Sequence, residues 1–362
     1  MWDYDTFAEE ARGRDDTVGT LLGIYRPYPP FYYEKRIEIM RSKIAANPKD
    51  ADAYDNMAVA YARLNRPDEA LAAIESKKTA IGATPGTTPD WYRFYSNRGS
   101  FYLMKWAGSS DKKAALPILD KGISDIENAL KIDVNAHFGR EKYQLFYMQW
   151  LRKWVVTPEK MAKPEFSTLP TTFSTYIQEQ NLGDGKTREV ALAGLIRLGT
   201  AWDNVDIVHA LEGALAGRRN ASIAALARRR LEAIEREHPK TSMTGQSLVS
   251  EFGGRAASIT AGTLDKLIPQ AEAYVRTRDE WVLQQLKAGK HPDTDPNFWS
   301  GLPEPKLDYG PGGFWYRLMR PQSWHPALMM FTALCMVVLG PIGLMKGLRW
   351  IFRRWQSRRA AS

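Results

Sequence analysis

The sequence predicts an all-α protein. Three observations carry that expectation. Apolar residues recur three and four positions apart through most of the chain. Proline, asparagine and glycine interrupt them at intervals suited to short helix–turn–helix units. No run shows the apolar–polar alternation of a strand. At 362 residues there is room for two soluble domains. A hydrophobic share of 44%, a charged share of 25% and a mean hydropathy of −0.41 exclude a polytopic membrane protein and a disordered tail protein.

Residues 1–45 read as an N-terminal arm and capping helix. Residues 46–157 read as helical repeats. In the first, Asn47-Pro48 starts the unit and Tyr54, Met57, Ala58 and Tyr61 line one helix face. After the Asn65-Arg66-Pro67 turn, Ala70, Leu71 and Ile74 line the next. Small residues stand where two helices approach, and large ones fill the space around them. In the second unit Tyr95, Gly99 and Tyr102 take the first-helix positions, and Gly122, Ile126, Ala129 and Lys131-Ile132-Asp133 the second. The Tyr102–Gly122 interval is eleven residues too long, an excess a loop around 106–113 would absorb. A third first helix runs from near His137 through Tyr143 and Tyr147 to Trp154. In type and offset these positions resemble the tetratricopeptide (TPR) repeat, for which three units are about the stable minimum.

Residues 158–186, rich in Pro, Thr and Ser, read as a linker with one short helix. Residues 187–288 form a C-terminal helical region similar to a short HEAT-like stack. Its helices are expected over 187–199, 203–217 and 220–237, with Val190, Leu192, Leu195, Leu198, Ile207, Leu211 and Leu215 on their apolar faces. A long helical stretch over 247–288 follows, bent or broken at Gly253-Gly254 and Pro269. Residues 289–323 read as an extended, aromatic-studded juxtamembrane segment.

Between His325 and Lys346 lie twenty uncharged residues. At ~1.5 Å per residue they span about 30 Å, the thickness of a bilayer core, so 324–346 is expected to be a transmembrane helix. Trp324 and Trp350 fall where aromatic belts sit, and Gly340-Pro341 would kink the span. The bland alternative is a buried core helix. The basic tail, 347–362, weighs against it. From Lys346 onward six basic residues and no acid carry most of the net charge of +9, leaving the first 345 residues only +3. The positive-inside rule then puts the tail in the cytoplasm and the large N-terminal domain in the periplasm of a two-membrane bacterium, a single-pass inner-membrane topology. Leu348, Ile351, Phe352 and Trp355 recur at helical spacing, so Arg349, Trp350, Arg353, Arg354 and Trp355 are candidates for the membrane surface; a disordered stop-transfer tail is the alternative. The small charge of the rest lacks a nucleic-acid footprint, and no nucleic-acid partner is expected. The lone cysteine, Cys335, excludes an internal disulfide, a Cys-based zinc site and a haem-attachment motif.

Beyond the repeat, the segments WDYDTFAEEA, FYYEKRIEIMRSKIAANPKDADAYDNMAVAYARL and NAHFGREKYQ resemble an uncharacterised bacterial family of exported TPR proteins with no assigned enzymatic activity. The resemblance covers most of residues 2–290. It implies a cleaved leader just ahead of the WDYDT segment, so that Met1 need not be the biological start, and it agrees with the outside orientation.

Catalytic, cofactor and metal sites are all expected to be absent. Gly185-Lys186-Thr187 resembles part of a phosphate-binding loop, but Gln180 stands where that loop needs a glycine and no apolar strand precedes it; Thr187 reads as a helix N-cap. His291-Pro-Asp293-Thr-Asp295 could offer metal ligands, although such clusters more often make turns. His137 reads as a packing or capping residue, and His209, His238 and His325 are scattered. The aromatics say more. Tyr28, Phe31 and Tyr32, and Phe314, Trp315 and Tyr316 with Trp324, are of the types that bury large areas at protein contacts. Gly340 and Gly343 would permit close helix packing in the bilayer. The expected function is a non-enzymatic scaffold or accessory subunit of an inner-membrane complex, for instance a photosynthetic or respiratory electron-transfer assembly. Its partners would be the other subunits and the lipid bilayer. A peptidoglycan-active hydrolase and a cytosolic tail-anchored adaptor are the alternatives.

Overall fold

A computed structural model describes residues 1, 5, 16–82, 86, 88–135, 139–165, 169–199, 201–217, 221–239, 242–249 and 256–308. Among the described residues every regular element is a helix, and the chain is all-α. Met1–Leu307 forms one compact unit; a second begins at Asp308. The expected transmembrane helix and basic tail lie outside the described residues, as do His137, His325 and Cys335. Among the described residues no helix is long and apolar enough to cross a membrane.

The first helix with a described range is α1 (Thr17–Leu22), all of whose residues are buried and whose first turn is capped by Asp16 Oδ1 accepting from Gly19 N at 2.9 Å. Gly23 ends it with φ +81°, and a Cβ there would lie 2.7 Å from the Trp202 ring, so both backbone and space demand glycine. Next come α2 (Pro30–Ala46), α3 (Ala51–Arg63), α4 (Pro67–Ser76) and the single turn α5 (Lys78–Ile81). Proline at the first position of α2 and α4 and the Asp50 cap of α3 set these starts, and Asn65 (φ 56°) turns the chain between α3 and α4. The helices α2, α3 and α4 pack in succession, and α4 passes to α6 (Pro89–Gly108), which pairs with α7 (Leu116–Ile132). The connection after Gly108 is shorter than the loop expected over 106–113, because Trp106 stays helical and buried.

The α6–α7 pair is the tightest seam. A Cβ on Gly99 would stand 2.7 Å from Ile126 Cδ1 and 3.0 Å from the Gly122 carbonyl. One on Gly122 would stand 2.7 Å from Met148 Cε and 3.0 Å from the Gly99 carbonyl. Two backbones thus touch where only glycine fits. The helix α8 (Arg140–Val156) continues the succession.

Residues 158–186 are not a free linker. They hold two short helices, α9 (Pro158–Ala162) and α10 (Phe173–Glu179), and bury Phe173, Tyr176 and Ile177. The indole N–H groups of Trp150 and Trp154 both donate to the Thr171 carbonyl, at 3.0 and 3.1 Å, which pins the segment to α8. Then follow α11 (Gly185–Arg197), α12 (Val205–Gly217), α13 (Ala221–Glu237) and α14 (Ala256–Lys287), which keeps Pro269 inside it. The cap of α11 is Asp184, whose carboxylate accepts from Thr187 N at 2.8 Å; Thr187 is an interior first-turn residue rather than the cap.

The far ends meet. The helix α14 packs against α1 and α2, and its buried Arg278 donates to the carbonyls of Ile24, Arg26 and Pro27 at 2.9–3.3 Å. Residues 289–307 fold back with it, burying Phe298 and Leu307. The expected extended segment is therefore, up to Leu307, part of the body.

Candidate functional site

Among the described residues, buried charged side chains cluster at the seams between helices. The largest is built on α2, where Tyr32, Arg36 and Met40 recur four apart on the buried face, so a guanidinium enters the core. Fully buried Arg36 holds two carboxylates. Its Nε and Nη2 donate to Asp293 at 2.8 and 2.7 Å, and its Nη1 and Nη2 donate to Asp5 at 2.8 and 3.1 Å. Nη2 also donates to Tyr32 Oη at 2.9 Å, and that hydroxyl donates to Asp5 at 2.9 Å. His291 stacks on the Tyr32 ring at 4.8 Å; its Nε2 lies 3.2 Å from the Tyr32 carbonyl and its Nδ1 accepts from Asp293 N at 3.2 Å.

Burial sets the protonation states here. It pushes the Tyr32 hydroxyl well above its ordinary value and the His291 imidazole below. Burial would also lower Arg36, but Asp5, Tyr32 and Asp293 outweigh it and hold the guanidinium charged. The cluster is thus one cation between two anions, closed by two neutral rings. Its carboxylates are engaged in binding the guanidinium, an arrangement that holds chain segments together.

A second cluster joins α3, α4 and α6. Asp55, buried on α3, accepts from Lys77 Nζ and from Asn97 Nδ2 at 3.1 Å, with Arg93 Nε at 3.3 Å. Lys77 is itself fully buried and donates to the Asp90 carbonyl at 3.2 Å. Beside it Arg98 grips Asp125 of α7 with two bonds of 2.7 Å, reaches Glu75 of α4, and lies over the Phe94 ring at 4.5 Å. Burial raises the carboxyls of Asp55 and Asp125 against the pull of these cations. Further along, Gln144 on α8 donates to Ser100 on α6 at 2.9 Å.

The third group lies on α12. The Asp206 carboxylate accepts from Ser242 Oγ at 2.7 Å and from Met243 N at 3.2 Å. Burial, with the Glu235 carboxylate adding to it, pushes Asp206 up to about 6. One turn on, burial lowers His209, whose Nδ1 is buried without a hydrogen-bond partner. Glu235 on α13 accepts from Ser247 Oγ and Leu248 N, so two carboxylates cap the turns of 242–248.

The expected site residues separate accordingly. Tyr32 is fully buried, and Tyr28 and Phe31 are half-buried against the same core; Tyr28 packs on Tyr32 and Trp299 at 4.5 and 5.2 Å. Tyr32 lies wholly within this chain's own core. Phe314, Trp315, Tyr316, Trp324, Gly340, Gly343, Arg349, Trp350, Arg353, Arg354 and Trp355 lie outside the described residues. The His291–Asp295 run makes a turn, with Thr294 N and Asp295 N donating to the His291 carbonyl. Among the described residues no group of three or more His, Cys, Asp or Glu is placed to hold a metal ion. Sequence reading passed over Asp5, Arg36, Asp55, Lys77, Asn97, Arg98 and Asp125. The available signal was a charged residue inside an apolar stripe, as at Tyr32–Arg36–Met40.

No family model matches this chain, and no curated protein or solved structure matches it either.

Proposed function

We propose that the chain is a membrane-anchored helical-repeat scaffold, an accessory subunit of an inner-membrane protein complex. The observation that carries the reading is the seam at Gly99 and Gly122. Glycines picked out by TPR spacing face each other backbone to backbone, between helices that pack in sequence with those before and after. By this account α3–α4 and α6–α7 are TPR-like units with α8 opening a third, and α11–α13 are a HEAT-like continuation. The twenty uncharged residues and the basic tail after them support an anchor with the body in the periplasm and Ser362 in the cytoplasm. Phe314, Trp315, Tyr316 and Trp324 would then meet the complex or the bilayer edge, and Gly340 and Gly343 would pack on a neighbouring transmembrane helix.

The test is purification from native membranes with mass spectrometry of what co-migrates, beside a reporter fused after Ser362. The reading expects integral membrane proteins in constant ratio, lost in Gly340→Leu and Gly343→Leu chains, and a cytoplasmic reporter. Recovery from the soluble fraction without partners, or a periplasmic reporter, contradicts it.

A further inference from the structure

Three stretches far apart in sequence converge on one guanidinium. Asp5 reaches Arg36 from the N-terminal end of the chain, and Asp293 reaches it from the segment after α14, both within 2.7–3.1 Å. Met1 joins the same apolar cluster as Tyr32, Tyr33, Val282, Leu286 and Phe298. The C-terminal strap, residues 289–307, begins at a left-handed glycine, Gly289 (φ +80°), directly after α14 and carries a second, Gly301 (φ +91°). Bonds of Arg36 to Asp293, of Lys43 Nζ to the Asp293 carbonyl at 3.3 Å, and of His291 to the Tyr32 carbonyl tie its first turn to α2, and Phe298 and Trp299 pack on Trp281.

The two carboxylates depend on each other. Arg36 turns one edge to Asp293 and the other to Asp5, and Nη2 serves both. A buried cation stays in place only while its charge and its N–H groups are satisfied. Losing Asp5 removes two of the guanidinium's bonds and the acceptor of the Tyr32 hydroxyl, whose ring stacks on His291. Coupling of this kind is reciprocal, so losing Asp293 must loosen Asp5 equally.

We propose that Asp5 is a latch for the strap: acting through Arg36, with Met1 in the same apolar cluster, it holds residues 289–307 shut on α2. Breaking the Asp5–Arg36 contact, as a partner competing for the guanidinium would, releases the strap and uncovers Tyr32, Phe298 and Trp299.

Hydrogen exchange of the full chain, read by mass spectrometry, tests it. Asp293, Thr294, Asp295 and Phe298 donate their amides within the strap and report its opening. In Asp5→Ala, peptides covering 291–300 should exchange about tenfold faster or more, while α6 and α7 keep their wild-type rates. Tyr32→Phe, which removes only the hydroxyl, should give a smaller rise in the same peptides and serves where Asp5→Ala does not fold. Asp293→Asn should raise exchange in the peptide containing Asp5. Unchanged strap exchange in a folded Asp5→Ala chain, or an equal rise in every helix, overturns the latch.

Discussion

Replacing Asp206 by asparagine should stabilise this protein at neutral pH, with a gain that grows from about pH 4 and is complete a little above pH 6. Burial holds the carboxyl at about 6 in the folded chain, against ~3.9 for an unfolded aspartate. A folded value above the unfolded one means that the folded chain binds the extra proton. The group's contribution is therefore full below about pH 3.9 and is lost as pH rises through 6. Two pH units at ~1.4 kcal/mol each make the ionised carboxylate about 3 kcal/mol unfavourable at pH 7.5. Asparagine removes that charge but keeps one acceptor oxygen for the two donors, Ser242 Oγ and Met243 N. The forfeited hydrogen bond is worth about 1 kcal/mol, so the net gain is about 1–2 kcal/mol. Thermal melts of wild type and Asp206→Asn at pH 7.5 and pH 4 read this directly, at roughly 2–4 °C per kcal/mol for a body of this size. The variant should melt several degrees higher at pH 7.5 and no higher at pH 4. A lower melting temperature at pH 7.5, or the same shift at both pH values, would refute the reasoning.

At the tightest seam, Gly122→Ala should destabilise by about 1–3 kcal/mol, since its Cβ meets Met148 and the Gly99 carbonyl; a helix melt equal to wild type contradicts this. Lys77→Met leaves Asp55 buried with less compensating charge and should cost about 3–5 kcal/mol, measured by chemical denaturation. His291 titrates below its unfolded value, so its contribution is present above pH ~6.5 and lost as the pH falls; His291→Gln should flatten that acid arm of the stability profile. A chain ending at Leu307 should fold, whereas one ending at Ala288 lacks Phe298 and the Asp293 partner of Arg36 and should melt lower by circular dichroism.

Local periodicity made the helices legible. Those expected over 187–199, 203–217 and 220–237 appear as Gly185–Arg197, Val205–Gly217 and Ala221–Glu237, because regular apolar spacing and end residues are local properties. The stretch 158–186 misled for the opposite reason. Its proline and threonine content looks like a linker, while Trp150, Trp154 and Thr171 meet only in the folded chain. The charged seams were hidden in the same way. Arg36 and Asp293 are 257 residues apart, and a rule that sends charges to solvent places each of them outside. The exported-protein resemblance drew attention to the segment containing Asp5 but gave no role for its carboxylate, which needs Arg36 beside it to have one.

The most direct measurement of the scaffold account compares two chains expressed in the native host: the full sequence and one ending at Leu307. Quantitative mass spectrometry of detergent-solubilised membranes would follow how much of each co-purifies with integral membrane proteins. The account predicts that the full chain stays in the membrane fraction with its partners, and that the shortened chain is folded but released. A shortened chain that co-purifies in full amount, or a full chain found free of any membrane protein, would contradict it.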